Sequence, residues 1–309
     1  MSARRLLRLV LLVQCAAALL VAWALLGHGT PGWLALPAGV GAVALVRLLI
    51  NMNNFVLSAL FASPTPSAHR LGLGARVRML ALEYRASMVM TSWLMARASA
   101  ATRIYPDSAQ VPVLLLHGYG ANSGYWAHLT PLLDAARTSH ATVDLEPVAA
   151  GIDDYAPLVE RHVQALCAAT GASRVAIVAH SMGGLVARAW LRAYGRAAIA
   201  RVARVVTLGT PHHGTAMARF GLGLNAAQMR PGGEWLRALA AGEDAATRAL
   251  IISIYSHHDN IVAPQTSSML PGARNVELGG VGHVALGRDP RVLAAIMREL
   301  SLLSVAAGR

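Results

Sequence analysis

The chain opens on an apolar pattern without a polar face. From Leu6 to Leu26, twenty-one residues are interrupted only by Arg8 and Gln14. A helix of that length rises about 30 Å, the thickness of a bilayer's hydrocarbon core. Gly27-His28-Gly29-Thr30-Pro31-Gly32 reads as a turn, and a second apolar run goes from Trp33 to Ile50, with Arg47 near its end. The pattern predicts a membrane-anchoring helical hairpin over residues 1–62. Trp23 and Trp33 then lie toward one interface, as an aromatic belt requires, and Arg47 lies where a long side chain can reach headgroups. Two alternatives stand beside it. One is a cleavable signal peptide, although its apolar core runs to roughly 7–15 residues and the small residues after Leu26 make no clear cleavage site. The other is a buried helical pair packed on a globular domain.

Ser63-Pro64-Thr65-Pro66-Ser67 breaks helical structure and begins a linker. Residues 71–100 are basic and amphipathic, with Leu80, Leu82, Met88, Met90, Trp93, Leu94 and Met95. This helix either lies along the membrane or caps the main domain, and the pattern fits both. Residues 63–109 are thus linker and amphipathic helix. From Gln110 onward the period changes. Short β-branched runs at Val111–His117, Ala141–Leu145, Arg174–Val178, Val202–Leu208, Leu250–Tyr255 and Asn275–Leu278 read as strands. Helices stand between them. One follows the Gly118–Asn122 loop to about Arg137. Another is N-capped by Asp153 or Asp154 and stopped at Gly171. A third runs from Leu185 to Gly195, and the last from about Pro290 to Leu303. Strands alternating with helices predict a mostly parallel sheet with helices on both faces, residues 110–305 forming one main domain.

Composition sharpens this picture. At 55% hydrophobic and 14% charged the chain is too apolar for an ordinary soluble domain. Residues 1–82 hold seven arginines and no acid, so their charge and their apolarity coincide. That pairing suits anionic lipid headgroups rather than a nucleic-acid groove, and no nucleic-acid motif is present. Arginines gather at the open end of the hairpin: Arg4, Arg5 and Arg8 before it, Arg47, Arg70, Arg76 and Arg78 after it. The positive-inside rule puts that end, and the main domain with it, on the cytoplasmic side of a bacterial inner membrane; the periplasmic side is the alternative. Cys15 and Cys167 make no disulfide framework.

The chemistry centres on Ala179-His180-Ser181-Met182-Gly183-Gly184. Ser181 falls where a strand turns abruptly into a helix, a turn that lifts its hydroxyl clear of the sheet and needs small residues two positions either side. A serine hydroxyl needs a base, and the base needs an acid to hold its tautomer. Downstream, Asp259 stands just past one strand, in Ser256-His257-His258-Asp259-Asn260, and His283 just past the next, in Gly280-Val281-Gly282-His283. The order Ser, Asp, His and the places at strand ends make Ser181, Asp259 and His283 a candidate triad. A developing oxyanion needs N–H donors, for which Met182 and Tyr119, in the His117-Gly118-Tyr119-Gly120 loop, are the candidates. His212, His213, His257, His258 and Asp259 are of metal-ligand type, but adjacent histidine pairs match no standard spacing, so no metal and no cofactor are expected.

Residues 111–305 resemble the α/β-hydrolase superfamily, and in particular bacterial triacylglycerol lipases. The Ala-x-Ser-x-Gly turn and the stretch Ser253-Ile254-Tyr255-Ser256, Asp259, Ile261-Val262, Gly272-Ala273-Arg274-Asn275-Val276 and Gly280-Val281-Gly282-His283 are similar to small Bacillus-type lipases. Thr207-Leu208-Gly209-Thr210-Pro211-His212-His213-Gly214 resembles a segment that many lipases carry after the strand beyond the nucleophile. The usual pattern has Gly where this chain has Ala179. The resemblance implies carboxylic ester hydrolysis by Ser181, Asp259 and His283, with Tyr119 and Met182 as oxyanion donors and a lipid or other acyl ester as substrate. Thioesterase or acyltransferase chemistry would use the same residues. A non-catalytic, membrane-anchored binding module is the reading from another class. Two features depart from the smallest lipases: the N-terminal apolar region, and residues 215–247, which form either a lid or acyl-chain wall, or a helix packed on the domain. Oligomeric state is not legible.

Overall fold

The computed structural model describes residues 2–303. Two long helices come first, α1 (Ala3–Gly27) and α2 (Gly32–Ala59), and they pack together as a hairpin. Small residues make the contact: Ala18 and Ala22 of α1 face Ala35 and Gly39 of α2, and a Cβ on Gly39 would collide with the Ala18 carbonyl. Close approach through small residues is how helices associate where apolar area alone gives little drive. The large side chains point outward. Only 11% of each apolar window is buried, and Trp23 and Trp33, beside the turn, are 71% and 74% exposed. The hairpin is therefore no core element of the domain. The sequence put Arg47 near the end of the second run, but α2 continues twelve residues beyond it; there, about midway along the hairpin, Arg47 donates to Gln14 Oε1, Ser92 Oγ and Thr91 Oγ1.

The stretch from 71 to 100 resolves as α3 (Leu73–Val89), a five-residue π turn (Met90–Leu94) and a last turn to Arg97. Its buried positions Met79, Glu83, Ala86 and Met90 recur at helical spacing, and Ala86, Met90 and Met95 join the apolar layer on one face of the sheet. Of the two placements open from the sequence, the structure gives the cap on the domain. Tyr84 also donates to the Ala44 carbonyl of α2, so α3 touches hairpin and domain together.

Seven strands form one sheet: β1 (Thr102–Arg103), β2 (Val113–Leu116), β3 (His140–Val143), β4 (Val175–His180), β5 (Val202–Leu208), β6 (Ile251–Ser256) and β7 (Arg274–Leu278). Their order is β1-β3-β2-β4-β5-β6-β7, parallel throughout except β1, which pairs antiparallel with β3. Alternate strand residues serve opposite faces. Leu114, Leu116, Ile177 and Val205 pack under the helices Ala156–Thr170 and Met182–Arg201. Leu115, Val178, Val206 and Ile254 pack under α3, Trp126 and the helix Pro290–Ser301. Each such aliphatic side chain contributes about 1.5–3 kcal/mol by burial. β2 and β4 are neighbours although β3 lies between them in sequence. The connections therefore leave in opposite directions there, and a crevice opens at the carboxyl ends of β2 and β4.

Three local expectations change. Asp153 and Asp154 do not cap the helix Ala156–Thr170. They lie in the short turn before it, where Asp154 Oδ2 accepts from the Gly151 N–H. Gly195 does not end its helix but kinks it, at φ +50°, and helical structure resumes to Arg201. The helix expected to run to Arg137 is a 3-10 turn, Ser123–His128, followed by Thr130–Ala135.

Candidate active site

Ser181 sits between β4 and the helix Met182–Arg201, with φ +53° and ψ −125°. A non-glycine residue there is strained, by about 1–3 kcal/mol. Its neighbours hold it. The Ser181 N–H donates to Leu208 O (2.8 Å), and Thr210 Oγ1 donates to Ser181 O (2.8 Å). The turn also requires a bare Cα two residues on, since a Cβ at Gly183 would lie 2.5 Å from Leu116 O and 2.6 Å from His117 O. Gly118 is equally constrained, because its Cβ would come 2.8 Å from Ser181 Cβ. The loop after β2 is thus pressed against the serine, at the crevice that the strand order creates.

Asp259 lies three residues past β6, and His283 five past β7. His283 Nδ1 and Asp259 Oδ2 are 2.7 Å apart, both buried. Asp259 Oδ1 accepts from the N–H groups of Ile261 and Val262, each at 2.8 Å, so the carboxylate is fixed from both sides. Asn260 Oδ1 accepts the His283 N–H at 2.9 Å. Gly209, after β5, fits beneath the pair, a Cβ there falling 2.9 Å from Asp259 Oδ2. Burial pulls the His283 pKa down, but the Asp259 charge and hydrogen bond, with Glu83 assisting, outweigh it and hold the imidazole above its ordinary value. The bond to Asp259 keeps the proton on Nδ1 and leaves Nε2 free to accept one.

Met182 is the first residue of its helix, so its N–H belongs to the group without intrahelical partners. Tyr119 lies in the loop pressed on Ser181, beside Gly120 at φ +64°. Its hydroxyl donates to Leu222 O (2.8 Å) and accepts from Leu222 N (2.9 Å). That pair of hydrogen bonds ties the loop to the 215–247 segment, where Phe220, Leu222 and Leu224 are exposed. Sequence reasoning missed this tie, and nothing in a lone tyrosine marks a partner a hundred residues away.

Three further groups surround the site: His180 and His117 lie within the motifs but carried no assigned role, and Glu83 lies in none. His180, buried, stacks on Tyr125 with centroids 3.9 Å apart and has Nε2 3.3 Å from His283 O. Burial and the nearby His283 charge put its pKa well below the ordinary value, so it stays neutral. His117 Nδ1 meets Gly118 O at 2.8 Å while Nε2 accepts the Leu145 N–H, which fixes the Nδ1–H tautomer; burial lowers its pKa. Glu83 of α3 accepts from the backbone N–H groups of Val284 and Ala285, next to His283.

The histidines weighed as metal ligands are not gathered together. His212 meets Thr207 Oγ1 and Arg188, His257 turns to Glu277, and Asp259 turns to His283. Among the described residues, His69, His257 and Glu277 bring ligand-type atoms within 4.8 Å of one another, two of them already paired by the 2.8 Å His257 Nε2–Glu277 Oε2 bond.

A family model described as alpha/beta hydrolase fold matches residues 111–230. Among solved structures, a lipase of Bacillus licheniformis in its mature form aligns at 18% identity over 65% of this chain and 97% of its own, with a TM-score of 0.58. Its propeptide form aligns at 19% identity over 68% of this chain and 55% of its own, with a TM-score of 0.57. Lipase B of Aspergillus fumigatus aligns at 20% identity over 77% of this chain and 63% of its own, with a TM-score of 0.55. At such identities the likeness is one of fold. With the strand order and the strand–turn–helix at Ser181, it shows an α/β-hydrolase fold preceded by two long apolar helices packed together.

Proposed function

We propose that this chain is a membrane-anchored serine hydrolase of carboxylic esters. Ser181 Oγ attacks the ester carbonyl. His283 Nε2 takes the serine proton and later gives it to the leaving alcohol, while Asp259 holds the ring and stabilises the imidazolium. The N–H groups of Met182 and Tyr119 receive the oxyanion. Water, activated by His283, then releases the acid from the acyl-enzyme. The observation that carries this reading is the 2.7 Å His283–Asp259 bond together with a serine held at φ +53° in a strand–turn–helix. Structures sharing the fold include lipases, which makes acyl esters the substrates to test first. The apolar hairpin supports an anchor that keeps such substrates close at hand. Thioesterase or acyltransferase chemistry would begin with the same acyl-enzyme and differ only in the acceptor.

The test is hydrolysis of p-nitrophenyl esters of increasing chain length by the detergent-purified protein, beside Ser181→Ala. We expect activity in the wild type, a loss of about 10⁴-fold or more in the variant, and fluorophosphonate labelling of Ser181 alone. A wild type silent toward every ester and toward the probe would make the fold a binding module.

A further inference from the structure

Glu83 is the first acidic residue in the chain, and it stands on the buried face of α3, in line with Met79, Ala86 and Met90. It is 1% exposed. An acid on an apolar face is costly unless its oxygens are satisfied. Here both are. Oε1 accepts the Val284 N–H at 2.9 Å and Oε2 the Ala285 N–H at 2.8 Å. A Cβ at Gly282 would lie 2.6 Å from Glu83 Cδ and Oε2. Residues 282 to 285 therefore fold around the carboxylate, with His283 in their midst. Two N–H groups aimed at two oxygens call for a carboxylate, since an amide offers only one acceptor. Titratable groups face Glu83 from each element around it: His283 from the loop after β7, Asp259 from the loop after β6, and Tyr125 from the Ser123–His128 turn. His283 is faced in turn by Asp259, Glu83 and His180.

We propose that Glu83 is a positioning residue for His283, acting through the backbone of residues 282–285, so that the juxtamembrane helix α3 is part of the active site. The proposal rests on the Ser181–His283–Asp259 reading above. Its physical content is twofold. The two hydrogen bonds fix where the loop carries the imidazole relative to Ser181. The carboxylate, when ionised, also adds negative potential at the imidazolium that forms as Ser181 loses its proton. Burial holds the Glu83 pKa above the ordinary carboxylate value, the two N–H donors and His283 offsetting part of the rise.

The test uses the full-length protein in detergent, with Glu83→Gln and Glu83→Asp beside wild type, and active sites counted by fluorophosphonate titration. For E83Q we expect kcat per titrated site to fall by about 10²-fold, the scale of a 1 Å misplacement. KM should change far less, and the acid limb of the pH profile should move to lower pH. E83D keeps the charge but is too short for both N–H groups, so its kcat falls while the acid limb stays. An E83Q protein with wild-type kcat and an unmoved limb, altered only in thermal stability, overturns the proposal and leaves the hydrolase reading intact. A silent wild type overturns the hydrolase reading itself. Should E83Q fail to fold, E83D decides, wild-type kcat overturning the proposal. Should neither fold, amide exchange on wild type decides: Val284 and Ala285 protected to the global limit support it, and fast exchange refutes it.

Discussion

At the scale of single residues, the pH dependence follows from what surrounds His283. As the proposed base, His283 must be neutral to take the Ser181 proton. Burial lowers its pKa and Asp259, then Glu83, raise it by more, so the net direction is up from 6.5. Activity should therefore rise with pH through a midpoint above 6.5, with the enzyme inactive as imidazolium below it. The stability sign runs the other way. A histidine whose folded pKa is raised contributes stability that is full below the unfolded value and is lost as pH climbs through the folded value. His180 adds no second limb in that window, because its pKa is displaced well downward. Removing the acid should cost more than it shifts: Asp259→Asn should lower kcat by about 10⁴-fold, the tautomer no longer being held. A pH profile of kcat/KM on a soluble p-nitrophenyl ester checks both statements, and a wild-type acid limb below 6.5 would contradict the first.

At the scale of elements, the helix Met182–Arg201 does more than carry the turn at its start. Arg188, fully buried, grips Glu243 through Nε (2.6 Å) and Nη2 (2.8 Å), and its Nη1 donates to His212 O at 3.0 Å. Trp190 donates to Glu160 of the neighbouring helix at 2.9 Å. Arg188→Met would leave the Glu243 carboxylate buried with, among the described residues, only Arg248, at 3.3 Å, as an ionic partner. Losing one half of such a pair costs about 3–5 kcal/mol, which thermal unfolding in detergent would register; a loss under about 1 kcal/mol would contradict it. None of this is written in local pattern. The strands were legible because β-branched runs between glycines have few alternatives, and Val202–Leu208 spans the same residues in both readings. The closeness of Asp259 and His283, 2.7 Å apart, was legible because each follows one of two neighbouring parallel strands. Glu83 was not, since its partners lie about 200 residues away, although an acid in register with Met79, Ala86 and Met90 was the signal available. The cap by Asp153 or Asp154 failed for a related reason: Asp153 accepts from Arg192 and Trp235, and Asp154 from the Gly151 N–H.

At the scale of the molecule, the two halves meet at the arginine end of the hairpin. Arg4 and Arg8 donate to the carbonyls of Ala98 and Ala96, the Ala3 N–H donates to Glu146, and Ser63 bonds Gln265. The far end, with Trp23 and Trp33, reaches away from the domain beside the turn between the helices. A bilayer around the exposed apolar belt would thus hold the tryptophans at one interface and the arginines, with the hydrolase fold, at the other. Basic residues favour the cytoplasmic face, so a C-terminal green fluorescent protein fusion should fluoresce and an alkaline phosphatase fusion at the same point should be inactive. The membrane fraction should keep the protein through carbonate washing, because two spans bury far more apolar area than a peripheral contact. An active phosphatase fusion would move the domain to the opposite face, and protein released by carbonate would remove the anchor. Either result would leave the proposed Ser181 chemistry untouched, since the sheet that positions this residue lies outside the hairpin. The His283 loop is different. It rests on Glu83, and α3 joins it to both halves. Any displacement of α2 or α3 therefore has a short, hydrogen-bonded route to the His283 loop.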